Sequence, residues 1–164
     1  MNILNAQQIE HKIKRIASEI YERHADSGEI ILAGINNKGF LIAELIQNSL
    51  LALGQKCVQT AHLTLNPAKP LDSETNFGLE PKHYSNKIVI VIDDVANSGR
   101  TLFFAMRPFM NVLTKKLEVC VLVERMHKSY PISVDYVGVR LATTVKQNIE
   151  IIFEERKPVE AQMF

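Results

Sequence analysis

A buried strand that ends in two adjacent carboxylates is the feature of this sequence that limits its fold most. The stretch KIVIVIDDVANSGRTL (87–102) places five apolar β-formers directly before Asp93 and Asp94. Small and polar residues follow, and an apolar pattern at helical spacing begins at Thr101. A strand, an acidic pair, a tight loop and a helix in this order predict a βα unit whose strand end faces a ligand.

Strands and helices alternate along the rest of the chain. Apolar residues at helical spacing predict helices over 6–24, 40–53 and from 101 to about 112. Short apolar or alternating runs predict strands over 29–35, 56–65, 88–92, 117–124, 134–142 and 148–155.

This order of elements predicts an α/β fold. We expect one domain over 1–164, with a central, mostly parallel sheet and helices on both faces. In such sheets, ligands bind outside the carboxyl ends of the strands. The loops that follow strands are therefore expected to converge at one edge: 36–39, 66–86, 93–101 and 124–131.

The composition is that of an ordinary globular domain. The 164 residues are 46% hydrophobic and 23% charged, which suits one domain with a core of its own. A net charge of +1 gives no strong electrostatic case for nucleic acid or acidic lipid. The apolar runs are too short to span a bilayer and no signal-peptide core begins the chain, so we expect a cytoplasmic protein without membrane contact. Cys57 and Cys120 are expected to be buried free thiols.

The P-loop NTPases also combine an apolar strand with acidic residues. That class requires the pattern G-x-x-x-x-G-K-[ST], in which the lysine and the hydroxyl hold phosphate and magnesium. The nearest match is GINNKGFL (34–41), which has Phe40 and Leu41 at those two positions. The P-loop interpretation therefore fails.

The loop after the acidic pair favours a sugar phosphate. Asn97, Ser98 and Gly99 allow a tight turn with inward N–H groups, and the hydroxyls of Ser98 and Thr101 add donors for one phosphate. Two adjacent carboxylates repel that phosphate unless they face sugar hydroxyls or a hydrated Mg²⁺. A ribose 5-phosphate satisfies both requirements. The alternative is an acidic strand end followed by an ordinary helix cap.

A resemblance to a known family is carried by several segments. VIDDVANSGRTL resembles the phosphoribosyl pyrophosphate (PRPP) signature of the type I phosphoribosyltransferases, an apolar run followed by Asp-Asp and a Thr-Gly-x-Thr loop. The resemblance extends over nearly the whole chain towards the PyrR type, pyrimidine-operon attenuator proteins that also have uracil phosphoribosyltransferase activity. ILNAQQIEHKIKRIASEIYER resembles the first helix of that type, ILAGINNKGFLIAEL its pyrophosphate loop, and VLVERMHKSYPISVDYVG its last core strand and base-covering hood.

The resemblance implies the type I phosphoribosyltransferase fold and assigns roles by position. Asp93 and Asp94 are expected to hold the ribose hydroxyls. The 5-phosphate is expected to bind Ala96, Asn97, Ser98, Gly99, Arg100 and Thr101. The pyrophosphate is expected to bind Asn36, Asn37, Lys38 and Gly39. The base-binding segment corresponds to Arg125, Met126 and His127, and the Mg²⁺ contacts correspond to Asp94 and Glu124.

The resemblance also implies a small hood over 125–142 and a flexible lid over 66–86, and the lid departs from the family pattern. It begins LNPAKP where the PyrR type has a tyrosine, an arginine and acidic residues, so Lys69 or Lys82 is the expected substitute. Lys38 also replaces an arginine and loses the fork geometry that suits phosphates. PRPP binding is therefore implied more directly than fast turnover.

The function implied by the resemblance is a Mg²⁺-dependent transfer of ribose 5-phosphate from PRPP to a nucleobase, with uracil favoured. A purine or another acceptor stays open, because base selectivity rests largely on backbone groups of the hood. The resemblance implies at least a homodimer. An RNA-binding regulator is the alternative from another class: Lys14 and Arg15 lie on a basic side of the first helix. At Lys14 and Ser18, however, the sequence lacks the threonine and histidine that family members use for RNA contact.

Overall fold

The computed structural model of the protein describes residues 1–144 and 146–164. Its strands are β1 (Asn2–Asn5), β2 (Ile30–Ile35), β3 (Val58–Thr64), β4 (Asn76–Phe77), β5 (Ile88–Ala96), β6 (Lys116–Arg125), β7 (Tyr136–Leu141), β8 (Ile149–Glu154) and β9 (Lys157–Met163). Its helices are α1 (Ala6–His24), α2 (Asn36–Ala52), the short α3 (Pro81–Tyr84) and α4 (Arg100–Ala105). Within the described ranges, no helix combines the length and the apolar character of a membrane span.

A six-stranded sheet forms the centre of the molecule. Its strand order is β4-β3-β2-β5-β6-β7, and every neighbouring pair is parallel except β3 with the short β4. β5 lies between β2 and β6, with Val91 opposite Ala33 on one side and Val119 on the other. The predicted α/β fold with a central, mostly parallel sheet is confirmed.

Alternate residues of β5 pack on opposite faces of this sheet. Ile88, Ile90 and Ile92 join a core cluster that contains the buried side chains of α1 and α2. Val89 and Val91 join a second cluster with side chains from α3 and α4. Because successive side chains of a strand point to opposite faces, the continuous apolar run of β5 is explained by helices on both sides.

A second, three-stranded sheet brings together β1, β9 and β8. β9 is the central strand, and both of its pairings are antiparallel. Ile151 and Ala161 lie opposite each other in it and are fully buried in the same core as α1 and α2. Within the segment 125–142, for which the sequence predicts a hood, residues 136–141 form β7 and pair with β6 in the main sheet.

Some boundaries differ from the sequence prediction. The turn predicted at 36–39 is the first turn of α2, which therefore begins earlier than predicted. α4 ends at Ala105 and a short 3₁₀ turn follows, because Pro108 lacks the N–H that a longer helix needs. Cys57 precedes β3 and is exposed, contrary to the prediction, whereas Cys120 is buried as predicted; both thiols are free.

The segment predicted as a lid is only partly a loop. Residues 66–75 have no regular secondary structure, whereas the rest of the segment contains β4 and α3. Tyr84 of α3 is buried in the core beside Phe77 and Phe109. Its hydroxyl donates to the carbonyl oxygen of Pro108 at 3.0 Å. The part of the segment after residue 75 is therefore anchored to the body of the protein.

α1 has the bounds that the sequence predicts. The side chain of Asn5 accepts a hydrogen bond from the N–H of Gln8, and the side chain of Gln8 accepts one from the N–H of Asn5, both at 2.9 Å. This reciprocal capping fixes the start of the helix. Its buried residues repeat at helical spacing and face the core: Ile9, Ile13, Ile16, Ala17, Ile20 and His24.

A buried polar cluster lies at the end of the main sheet opposite the acidic pair. Glu118, at the start of β6, contacts the Nε2 atom of His24 and accepts from the hydroxyl of Tyr136 at 3.1 Å. Arg23 and Lys116 each lie 3.7 Å from its Oε2 atom. These partners compensate for the burial of the carboxylate. Burial and the charge of Glu118 raise the pKa of Tyr136, so the phenol stays a donor.

Replacing His24 with Ala should destabilise the fold by about 1–3 kcal/mol, because Glu118 stays buried and loses a partner. His11→Ala is the matched control, since His11 lies on the same helix and is exposed. Chemical denaturation of the wild type and both variants at neutral pH measures the difference. Equal unfolding free energies for the wild type and the His24→Ala protein would contradict the stabilising role of this contact.

Candidate active site

The acidic pair lies at the carboxyl end of β5, in the centre of the main sheet. Asp93 is buried, and the side chain of Asp94 is 17% exposed. Each carboxylate accepts a hydrogen bond from the backbone N–H of the following residue. Asp93 accepts from Asp94 and Asp94 accepts from Val95, both at 2.9 Å. These bonds fix the direction in which the two carboxylates point.

The two carboxylates are electrostatically unfavourable where they are. Burial holds the pKa of Asp93 well above its usual range, and the charge of Asp94 raises it further. Burial also raises the pKa of Asp94, although a hydrogen bond from Asp93 and the charge of Lys38 oppose the shift. A pair of this kind is stabilised by a ligand that brings O–H donors or a cation.

The next residues, 96–101, form a loop around a small cavity of about 40 Å³, and we call this segment the phosphate loop. Gly99 adopts a φ of 83°, a conformation that L side chains rarely take, and thereby turns the chain into α4. The hydroxyl of Ser98 accepts from the N–H of Arg100 at 3.3 Å. Ala96 is buried, whereas Asn97 and Arg100 are exposed. The cavity has room for a few waters or one small anion.

The chain after β6 braces the phosphate loop. The carbonyl oxygen of Ser98 accepts from the N–H groups of Ser129 and Tyr130, at 2.9 and 3.1 Å. The side chain of Lys128 and the carbonyl of Tyr130 would both lie 3.4 Å from a Cβ at Gly99. The segment 125–142, predicted as a hood, is therefore in direct contact with the phosphate loop.

Glu124 lies at the end of β6, beside this brace. Its Oε1 atom pairs with Nζ of Lys128 at 3.0 Å, and its Oε2 atom pairs with Nε of Arg140 at 2.8 Å. Lys128 also donates to the carbonyl oxygen of Arg125 at 2.6 Å. Both carboxylate oxygens of Glu124 are thus neutralised by cations of the chain itself.

The three residues predicted to bind the base have different surroundings. Arg125 donates from Nε to the hydroxyl of Thr143 at 2.8 Å, and its Nη1 atom lies 3.4 Å from the side-chain oxygen of Asn97. Met126 and His127 are exposed. Arg125 therefore ties β6 to the phosphate loop, while the two following side chains are open to solvent.

The predicted pyrophosphate turn, 36–39, lies against the end of β5. A Cβ at Gly39 would overlap the carbonyl oxygen of Ile92, so only glycine allows this approach. Asn36 adopts a φ of 49°, which Asn tolerates better than most residues. Its side-chain oxygen accepts from the N–H of Leu65 at 3.1 Å, which joins the turn to the segment that precedes the lid.

Lys38 carries the charge of this turn, and Asn37 beside it is exposed. The Nζ atom of Lys38 lies 3.9 Å from Oδ2 of Asp94. It donates to the carbonyl oxygen of Ile151 at 2.9 Å and lies 3.4 Å from Oε1 of Glu150. The lysine therefore stands between the acidic pair and β8 of the small sheet.

The lid segment 66–75 lies along α4. The carbonyl oxygens of Pro67 and Pro70 accept from the guanidinium groups of Arg100 and Arg107, at 2.8 and 3.2 Å. The predicted loops after β2, β3, β5 and β6 are thus brought to one edge of the sheet by contacts between them.

The two lysines predicted to serve the lid have partners within their own segment. Lys69 lies 3.8 Å from Asp72, and Lys82 lies 3.1 Å from Glu80. All four side chains are largely exposed, so these ion pairs are weak and exchangeable.

The two residues predicted as RNA contacts lie on α1. Lys14 pairs with Glu10 at 2.7 Å. Arg15 contacts Glu19, and its Nη2 atom donates to the carbonyl oxygens of Val137 and Gly138 in β7, each at 2.8 Å. Arg15 therefore has a structural partner in the edge strand of the main sheet.

Comparison with known proteins shows the family to which the chain belongs. The phosphoribosyl transferase domain family matches residues 1–156 of the chain. The chain belongs to this family. A relative from Haemophilus ducreyi, named bifunctional protein PyrR, is 32% identical over 156 residues, which cover 91% of this chain and 87% of the relative. A protein of the same name from Pediococcus pentosaceus is 30% identical over 162 residues, covering 93% and 92%. The resemblance to the PyrR type is confirmed.

Solved structures of other phosphoribosyltransferases share the fold. Hypoxanthine phosphoribosyltransferase of Trypanosoma cruzi superposes with a TM-score of 0.76 at 16% identity, covering 97% of this chain and 94% of that one. A hypoxanthine-guanine phosphoribosyltransferase of Bacillus anthracis gives a TM-score of 0.75 at 20% identity, covering 100% and 96%. At such identities the similarity shows the fold alone.

Two residues of this candidate site were not predicted from the sequence. Lys128 is four residues beyond Glu124 and braces the phosphate loop; its position after a strand that ends in an acidic residue was a usable signal. Glu150 reaches the site from β8, and no local pattern links it to Lys38, which is distant in the sequence.

Replacing Asp93 with Asn should raise the unfolding free energy near neutral pH, because the variant removes one of two buried like charges. The folded pKa of Asp93 is raised, so its penalty is absent below the unfolded pKa of about 3.9, grows as the pH rises from there to the folded pKa, and is constant above it. The stability gap between variant and wild type should therefore widen from acid towards neutral pH.

Thermal melts across that pH range measure the gap. Asp72→Asn is the control, since Asp72 is largely exposed and its variant should follow the wild-type curve. A variant at Asp93 that is less stable than the wild type at neutral pH would show that the second charge is well accommodated in the free protein.

Proposed function

We propose that the protein transfers ribose 5-phosphate from PRPP to a nucleobase, with uracil as the favoured acceptor, and releases pyrophosphate. The observation that carries the proposal is the arrangement at the end of β5. An acidic pair precedes a loop that turns at Gly99 around a polar cavity, and the ammonium group of Lys38 lies 3.9 Å from Asp94. Membership of the phosphoribosyltransferase family supports the same reaction.

Each part of PRPP has a matching group of residues in this proposal. The ribose hydroxyls donate to Asp93 and Asp94, whose raised pKa values show how poorly the free pair is compensated. The 5-phosphate occupies the cavity of the phosphate loop, 96–101. The pyrophosphate lies at the turn 36–39, next to Lys38.

The chain offers Mg²⁺ one carboxylate ligand rather than a complete set of protein ligands. Among the residues described, no three His, Cys, Asp or Glu side chains cluster in a way that could hold a metal. Mg²⁺ commonly binds through one or two carboxylates together with phosphate oxygens and waters. Asp94 fits that role, since its Oδ2 atom has only a loose contact of 3.9 Å to Lys38, whereas Glu124 already carries two cations. When bound, the ion neutralises charge on the pyrophosphate.

In the reaction, the bond between C1 of the ribose and the pyrophosphate oxygen breaks, a bond from C1 to a base nitrogen forms, and the proton of that nitrogen is released to the pyrophosphate product or to solvent. Positive charge grows on the sugar, as at other glycosidic centres, and negative charge grows on the leaving group. The turn 36–39 and Lys38 stabilise the leaving group, and the phosphate loop holds the other end of the sugar in line. The segment 66–75 covers the site and excludes water that would attack C1.

The acceptor preference rests on the relatives named PyrR, since the solved structures of purine-specific enzymes share only the fold. Met126 and His127 are the side chains open to a base beside β6. We assign Arg125 a positioning role, because its guanidinium group joins Thr143 to Asn97. We likewise assign Glu124 to hold Lys128 against the phosphate loop.

A regulator that binds RNA is the second candidate, and the word bifunctional in the names of the relatives favours it. The surroundings of Arg15 speak against it, because β7 holds the guanidinium group, whereas the exposed pair of Lys14 with Glu10 is weak. We therefore place the transferase first. The proposal retains the predicted cytoplasmic location and a homodimer or larger homo-oligomer.

Replacing Asp94 with Asn should keep the fold and weaken Mg-PRPP binding by roughly 10- to 150-fold, the value of a hydrogen bond to a charged partner. Calorimetric titration measures the affinity. Asp26→Asn is the matched control, because Asp26 is exposed and lies beyond the far end of α1. An unchanged affinity in the Asp94→Asn protein would remove the acidic pair from the ribose site.

Steady-state assays with radiolabelled PRPP and a panel of bases test the acceptor. We expect slow turnover that is fastest with uracil, because the lid lacks an arginine and its lysines, Lys69 and Lys82, lack the fork geometry that suits phosphates. Asn66→Arg should raise turnover more than PRPP affinity, since closure and binding are separable. A preference for hypoxanthine or guanine would show that the acceptor is a purine and not uracil. The absence of transfer to any base would favour the regulator.

A further inference from the structure

Lys38 has two sets of partners that belong to different parts of the molecule. On one side is Asp94 of the active site, at 3.9 Å. On the other side are two groups of β8, the carbonyl oxygen of Ile151 at 2.9 Å and the carboxylate of Glu150 at 3.4 Å. In the free protein the shorter contacts are the ones to β8, so the ammonium group is drawn away from the acidic pair.

The two contacts on β8 differ in rigidity. Ile151 is fully buried and pairs with Ala161 in the small sheet, so its carbonyl oxygen is fixed. The side chain of Glu150 is 57% exposed and free to change rotamer. A lysine has three donors, so it can keep the bond to Ile151 while it exchanges Glu150 for another anion.

We propose that Glu150 is a positioning residue that competes with the pyrophosphate of PRPP for Lys38. Its carboxylate neutralises the lysine in the free protein, and the incoming pyrophosphate displaces it. The inference rests on the proposed function, because it takes the turn 36–39 as the pyrophosphate site. Glu150, which lies in the small sheet, thereby sets how strongly the turn 36–39 binds pyrophosphate.

The size of the effect follows from the exposure of the pair. Ion pairs between partly exposed side chains are weak, and removal of this one should change ligand affinity by about two- to fivefold. Ligand affinity should increase when Glu150 loses its charge. The effect should be confined to ligands that carry pyrophosphate, since ribose 5-phosphate does not reach Lys38.

The test compares the wild type with Glu150→Gln in calorimetric titrations. The ligands are Mg-PRPP, inorganic pyrophosphate with Mg²⁺, and ribose 5-phosphate. We expect tighter binding of the first two by the variant and equal binding of ribose 5-phosphate. Glu154→Gln is the matched control, because Glu154 ends the same strand, is exposed and pairs in register with Lys157.

A double-mutant cycle with Lys38→Met separates release of the lysine from simple removal of a negative charge. If Glu150 acts through Lys38, its replacement should have no effect in the Lys38→Met background. A gain that persists in that background overturns the inference, as does equal pyrophosphate affinity of the wild type and Glu150→Gln. A wild type that binds no PRPP overturns the proposed function and, with it, this role of Glu150.

Discussion

Two neighbouring carboxylates at the end of a buried strand are the constraint on which the rest of the structure depends. β5 can carry them only because it lies in the centre of the sheet, where its apolar residues are covered on both faces. Their own burial is unfavourable, since Asp93 and Asp94 each have a raised pKa. A binding site of this kind gives up stability in the free protein and recovers it when a ligand supplies donors or a cation.

The surrounding elements meet this constraint by close contact. Gly39 lets α2 approach the end of β5 without a side chain between them, and the turn places a cation near the pair. The phosphate loop is held from its other side by the N–H groups of Ser129 and Tyr130, which share the carbonyl of Ser98. The loops of the site are thus positioned by direct contacts with one another.

The sequence predicted the parts of this site that depend on local pattern. The apolar run of β5, the acidic pair and the small residues that follow are contiguous, so the parallel sheet and the phosphate loop could be read from them. Contacts between distant segments could not be predicted in this way. The small sheet pairs β1 with β9, which are far apart in the sequence. Glu124 pairs with Arg140 on the neighbouring strand, and no local pattern links these two residues.

Arg15 affects whether another chain can add to the β7 edge of the main sheet. β7 is an edge strand of the main sheet, and such strands present unpaired backbone groups to which another chain can add. The guanidinium group of Arg15 occupies the carbonyl oxygens of two successive residues there, Val137 and Gly138. An incoming strand that pairs here would have to displace this charged donor. This edge of the main sheet is therefore protected against growth by strand addition.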